Sequence, residues 1–189
     1  MALNIVQTQS GGSYDPYIKY NGKAGRFYLK NEQGDEVEVV PTSFIADLEN
    51  IKTGWMMFAA GMAPDKKFDE NLATPAPRPS ENHKRGFAVR LFSKAFGGVV
   101  ELSGTSMHLC NSINDLYESF EAAKQPGKVP VVKFSGTSAM KDKQGTNYKP
   151  NFSIEKWVDR PAELDVANAP QTQSASSAAS PPPAVDNEF

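Results

Sequence analysis

The sequence predicts a mainly β fold: a small barrel with one helix and a C-terminal tail that lacks the means to pack. Three observations carry that reading. Short runs of β-formers such as GRFYLK and GFAVRLFSKAF alternate apolar and polar residues at period two. Turn clusters such as NGKAG and NEQGD punctuate them. One stretch alone, NSINDLYESFEAA, has the helical period, with Ile113, Leu116, Tyr117 and Phe120 at i, i+3, i+4 and i+7.

Taken in order, residues 1–16 read as a flexible arm rich in Gln, Ser, Thr and Gly. IKY, GRFYLK and VEVVP follow as strands, and GWMMFAAGM is a further strand candidate. DKKFDENLATPAPRPSENHKRG has no period and several prolines, so it predicts a long loop of the kind that is functional or mobile. GFAVRLFSKAF and VVELSGTSM, divided by Gly97 and Gly98, predict a hairpin. The helix is expected over 111–123, capped by Ser112 and ended by Pro126 and Gly127. KVPVVKFSGTSAM, the polar turn KDKQGTN and NFSIEKWVDR close the body as a second hairpin. VVELSGTSM and VVKFSGTSAM share a pattern, which reads as two similar strand ends leaving the sheet. Strands, one helix and a last hairpin are the order of a five-stranded Greek-key barrel of the oligonucleotide-binding (OB) type with extra β-hairpins, spanning residues 17–160.

Charge divides the chain unevenly. All 20 Lys and Arg and 18 of the 22 Asp and Glu lie before residue 161; the remaining four acids lie in 161–189, which reads as a disordered acidic tail. A mildly basic body with an acidic tail suggests a nucleic-acid partner. One cysteine, Cys110, fits a reducing compartment, and the start has no secretory pattern. The longest apolar run is too short to span a bilayer. These features predict a soluble cytoplasmic protein. Neither a GxGxxG nor a GxxxxGK[ST] motif occurs, and His83, His108 and Cys110 do not have metal-ligand spacing. No catalysis, cofactor or metal is expected.

The candidate site rests on alternation. Arg26, Tyr28 and Lys30 fall on one side of their strand; Arg90, Phe92, Lys94 and Phe96 fall on one side of theirs. Cations for phosphates interleaved with rings for unstacked bases are how a sheet holds single-stranded nucleic acid without reading sequence. An ordinary solvated sheet face and a homodimer interface with Tyr and Phe at its centre are the alternatives. Lys66 and Lys67, His83 with Lys84 and Arg85, and Lys141, Lys143 and Lys149 beside Tyr148 are the supporting basic groups. Trp55 and Trp157 read as core before stacking platforms, with a place lining the groove as the alternative. The tail ends in Asp186, Asn187, Glu188 and Phe189, a tip suited to an apolar pocket rimmed by cations.

GRFYLK, GFAVRLFSKAF and VVELSGTSM, with the Pro-rich linker and the acidic tip ending in Phe, resemble the single-stranded DNA-binding proteins of bacteria and, more closely, of bacteriophages. That resemblance implies an OB body coating single-stranded DNA during replication, recombination or repair, in the host cytoplasm where phage-encoded. It also implies a tail whose Asp186, Glu188 and Phe189 compete with DNA and recruit replication or recombination proteins. An RNA-binding OB module and a β-rich assembly protein without nucleic-acid affinity are the alternatives.

Overall fold

A computed structural model describes residues 16–166 except positions 32, 61 and 144. Residues 1–15 of the N-terminal arm and the tip residues Asp186, Glu188 and Phe189 therefore lie outside the described residues. The elements are β1 (Tyr17–Asn21), β2 (Arg26–Lys30), β3 (Glu36–Val39), β4 (Ser43–Ala46), β5 (Lys52–Met57), β6 (Asp65–Phe68), β7 (Lys84–Ser93), β8 (Gly98–Gly104), α1 (Met107–Ala123), β9 (Lys128–Asp142), β10 (Gly145–Asp159) and α2 (Ala162–Val166). The fold is mainly β, as expected. One mixed sheet runs β10-β9-β4-β7-β8-β1-β2-β3, and β5 joins it from the side, pairing with β7 and β6. Every described pairing of these strands is antiparallel except β1 with β8.

The sheet curls until its far parts meet. Tyr148 of β10 donates its amide to the Gly22 carbonyl between β1 and β2 (2.7 Å). The Tyr20 hydroxyl donates to the Tyr148 carbonyl (2.8 Å), and burial pushes that phenol up to about 12. Gly25 makes this approach feasible: its φ is +68°, and a Cβ there would stand 3.0 Å from the Tyr148 side chain.

Inside, alternate residues of the strands supply one apolar cluster, including Ile18, Phe27, Phe44, Val89, Leu91, Val100, Leu102 and Val132. Phe27 meets Phe134 edge to face at 5.2 Å, and Phe120 of α1 lies 5.7 Å from Trp157. Trp157 does pack against this cluster.

Four local expectations need correction. The helix begins at Met107, not residue 111, and its cap is Ser106, whose Oγ accepts from the Leu109 amide; Ser112 is buried mid-helix and donates to the His108 carbonyl. The starting turn adds Leu109 to the apolar face of Ile113, Leu116 and Phe120, all buried against the cluster. The two SGTS segments also behave differently. β8 stops at Gly104, where a Cβ would stand 2.8 Å from Leu109, whereas β9 continues through Gly136 at φ +90° with a bulge between its pairings to Pro150 and Phe152. The KDKQGTN turn is shorter than expected, since Lys141 and Thr146–Asn147 still pair across the hairpin. Finally, the body extends past Arg160: α2 buries Leu164 completely.

Candidate nucleic-acid interface

Strand β2 alternates as its sequence implies. Phe27 points into the core, Arg26 and Lys30 are exposed, and Tyr28 is half-buried. The neighbouring strands change the character of that face. Tyr28 stands between Lys19 of β1 and Glu38 of β3, while Lys30 stands opposite Glu36. Arg26 bonds Glu38 at 2.6 Å and Lys19 bonds Glu36 at 3.0 Å; the Lys30 ammonium sits 5.7 Å from the Tyr17 ring centre. Because β3 also alternates, its glutamates answer the cations of β1 and β2, and the face is close to neutral.

The four-residue face expected on β7 is broken. The strand ends at Ser93, whose Oγ accepts from the Ala95 amide and starts a short 3₁₀ turn closed by Gly97 in the left-handed region. That turn leaves Lys94 exposed and sends Phe96 inward, where it is 8% exposed and lies 5.9 Å from Phe44. Phe96 is a core residue. Arg90 and Phe92 remain together, but Arg90 donates to the Leu164 carbonyl (3.1 Å), so α2 lies against this side of β7. Arg160 clamps the approach to α2 with two bonds to Asp47 (2.7 and 2.8 Å), a carboxylate with no exposure at all.

The predicted loop 65–86 is more ordered than its composition suggests. Its first residues form β6. Asn71 Oδ1 accepts from the amides of Ala73 and Thr74. Buried His83 bonds Ser80 at 2.8 Å and Asp65 at 3.2 Å. Asp69, 2% exposed in its side chain, accepts a two-pronged bond from Arg85, another from the Thr53 hydroxyl and one from the Ala76 amide. Chiefly the Arg85 guanidinium holds that carboxyl far below the usual range, and Asp69 in return raises Arg85.

This folding builds a site away from the two strand faces that the sequence singled out. Trp55 at the centre of β5 is directly opposite Lys67 of β6 on one side and Arg85 of β7 on the other. The guanidinium carbons of Arg78 and Arg85 lie 5.2 and 5.4 Å from the centre of the Trp55 ring, while the indole N–H donates to the Ala76 carbonyl (2.8 Å). Arg78 otherwise donates to the carbonyls of Glu81 and His83. Among the described residues neither Arg78 nor Lys67 meets a carboxylate, so the group keeps a positive excess. Trp55 is half-buried and is not part of the interior cluster, contrary to the expectation. Arg78 had no period to betray it, sitting within PAPRPS; the alternation of Thr53, Trp55 and Met57 was the available signal.

The remaining cations diverge. Lys84, exposed, is opposite Met56 and therefore faces away from Arg85. Lys66 is engaged by Glu101 of β8. On the last hairpin, Lys141 pairs with Thr146 and Ala139 with Tyr148, which places Lys141 and half-buried Tyr148 on one side with exposed Lys143 at the tip. Lys149 lies on the other side, bonded to Asp115 of α1 at 2.6 Å. Among the described residues no group of three His, Cys, Asp or Glu side chains is arranged to hold a metal, and no helix is long and apolar enough to cross a membrane. Comparison with protein-family models, with curated proteins and with solved structures finds nothing that matches the chain.

Proposed function

We propose that the protein binds single-stranded DNA without sequence preference, as an OB-type barrel serving replication, recombination or repair. The strand order supports the barrel assignment: β9-β4-β7-β8 is the 4-1-2-3 order of a Greek key, with α1 between the third and fourth strands and β10 as the fifth. The observation that carries the function is the row Lys67–Trp55–Arg85 with Arg78 against the indole. A phosphate backbone needs the cations, and an unpaired base stacks on an indole or on a guanidinium plane. Lys141, Lys143 and Tyr148 on the long β9–β10 hairpin form a second basic, aromatic group at the position where an OB barrel uses the loop between its last two strands. The face of Arg26, Tyr28 and Lys30 contributes less than its sequence implies, since Glu38 bonds Arg26, Glu36 bonds the neighbouring Lys19, and Lys30 stands over the Tyr17 ring.

The test is titration of oligo-dT, oligo-U and a duplex of equal length at two salt concentrations, with the intact protein and Trp55→Ala. Oligo-dT is expected to bind most tightly and to weaken as salt rises, because phosphate neutralisation releases counterions. Trp55→Ala should weaken it by about 1–3 kcal/mol, the worth of one stacked base, with the melting temperature measured on the same preparation to exclude unfolding. Equal or better binding of duplex, or a Trp55→Ala protein that is folded and binds unchanged, defeats the reading. Preference for oligo-U assigns the surface to RNA instead.

A further inference from the structure

One register step from the Trp55 row, the same side of the sheet sinks into a cleft of about 360 Å³. Thr53 of β5 is opposite Phe87 of β7, two residues or about 7 Å along from Trp55 and Arg85, and both line the cleft. Helix α1 forms the facing wall through Ile113, Asn114 and Tyr117, and Leu72, half exposed, closes one end. Arg85 belongs both to the cleft and to the Trp55 cluster.

The lining divides by chemistry. Phe87, Ile113 and Leu72 give hydrocarbon for the faces of a flat ring. Thr53 and Asn114 give polar edges: the Thr53 hydroxyl proton is committed to Asp69, which leaves its oxygen to accept, and Asn114, exposed on α1, spends one amide hydrogen on Glu118 (2.7 Å) and keeps a second hydrogen and its oxygen. The volume is at the small end for a ligand site, too small for a folded peptide element and adequate for one heterocycle. Of the nearby cations Arg85 lines the cleft but is paired with Asp69, while Lys67 and Arg78, which meet no carboxylate among the described residues, are not among its lining residues.

We infer that this cleft accepts one unstacked nucleobase of the bound strand while the cations of the Trp55 row hold the adjoining phosphates outside it. The inference rests on the single-strand reading above and adds to it a place where the strand leaves its stack. It makes binding depend on a base, not only on backbone charge, at one nucleotide of the site.

Cys110, the chain's one cysteine, lines the cleft and serves as its reporter. The rate at which full-length protein reacts with a maleimide is measured alone, with oligo-dT, and with an abasic strand of equal length. Low salt brings both strands to saturation, confirmed by anisotropy. Oligo-dT is expected to slow labelling about tenfold or more relative to the free protein, and the abasic strand to leave it at the free protein's rate. Saturation by oligo-dT with unchanged labelling overturns the cleft and leaves the single-strand reading standing. Equal protection by the abasic strand overturns it as well, since backbone then covers the cleft. Failure of oligo-dT to bind at all removes both. As a second measurement, Asn114→Trp, at an exposed helix position, fills the cleft mouth. Oligo-dT affinity should fall about fivefold or more at an unchanged melting temperature, the loss of one base contact. Retained affinity in the folded variant overturns the inference.

Discussion

At Asp69 one carboxylate accepts four hydrogen bonds, from two nitrogens of Arg85, from Thr53 and from the Ala76 amide, while almost fully buried. It thereby fixes both the guanidinium at the end of the Trp55 row and the chain that carries Arg78 past the indole. Asp69→Asn keeps the shape and removes the charge, and should cost about 1.5–3 kcal/mol near neutral pH, the range for bonds to a charged group. The pH dependence follows from a folded-state value depressed below the ordinary 3.8. The stabilisation is fully present above that ordinary value and fades as pH falls through it toward the lower folded value. Urea midpoints of the two proteins between pH 7 and pH 3 should therefore converge on the acid side; a constant gap would show that the charge is not what Asn lacks. Phe96 is the complementary case, a ring that strand alternation puts outside and a 3₁₀ turn puts inside. Phe96→Ala should lose about 3–5 kcal/mol of stability, as buried Phe→Ala does, and leave single-strand affinity intact under conditions where the variant is folded. An affinity loss without destabilisation would return Phe96 to the surface.

Among the elements, α2 shows how a segment of five residues is held in place by groups distant in sequence. Its Leu164 is fully buried, Arg90 donates to its backbone, and Arg160 just before it bonds both Asp47 and Asp165. Those carboxylates raise the Arg160 guanidinium further still, Asp47 most of all. Arg160→Ala leaves the Asp47 charge buried with, among the described residues, Asn50 as its remaining side-chain partner, so a loss of about 3–5 kcal/mol and faster amide exchange over 160–166 are expected. Arg160→Lys keeps charge but not the fork and should fall between. Wild-type exchange in the alanine variant would mean that α2 docks without this clamp. None of this was legible in PAELDV, whose composition continues the polar run behind it. Strands with strong period and Gly-bounded turns, β2, β7, β8 and the β9–β10 pair, were readable because local pattern and burial agree in them. SFIA was not read as β4, since four residues carry little periodicity and its strandhood comes from pairing with Val132 and Leu91 on distant strands. The helix start was hidden because Met107 is exposed and its cap lies in a segment that repeats a strand end elsewhere. The Trp55 site was hard to read for a related reason: its parts come from three strands and a proline-bearing loop, joined by Asp69, which has no pattern of its own.

At the scale of the whole molecule, the sign of the charge changes along the chain. The residues after Val166 contribute Asp186 and Glu188 and no Lys or Arg, against a basic excess in the stretch before Pro161. Truncation after Val166 should tighten binding of oligo-dT, most at low ionic strength where screening is weakest. If affinity is the same with and without these residues at every salt concentration, they do not compete for the site. The described residues also hold one pairing with a consequence for how the chain is made. β1, β2 and β3 pair with one another across short turns, yet the unit joins the sheet through a parallel contact of Tyr17 and Ile18 with Glu101 and Leu102, and through the Gly22–Tyr148 bond. Closing so long a loop costs entropy before the contact repays it, which slows folding. On a ribosome, residues 17–39 emerge before β8 and can form their hairpins at once. They must then wait for β8, and for Tyr148 later still, so the newborn chain exposes Ile18 and Phe27 for much of its synthesis.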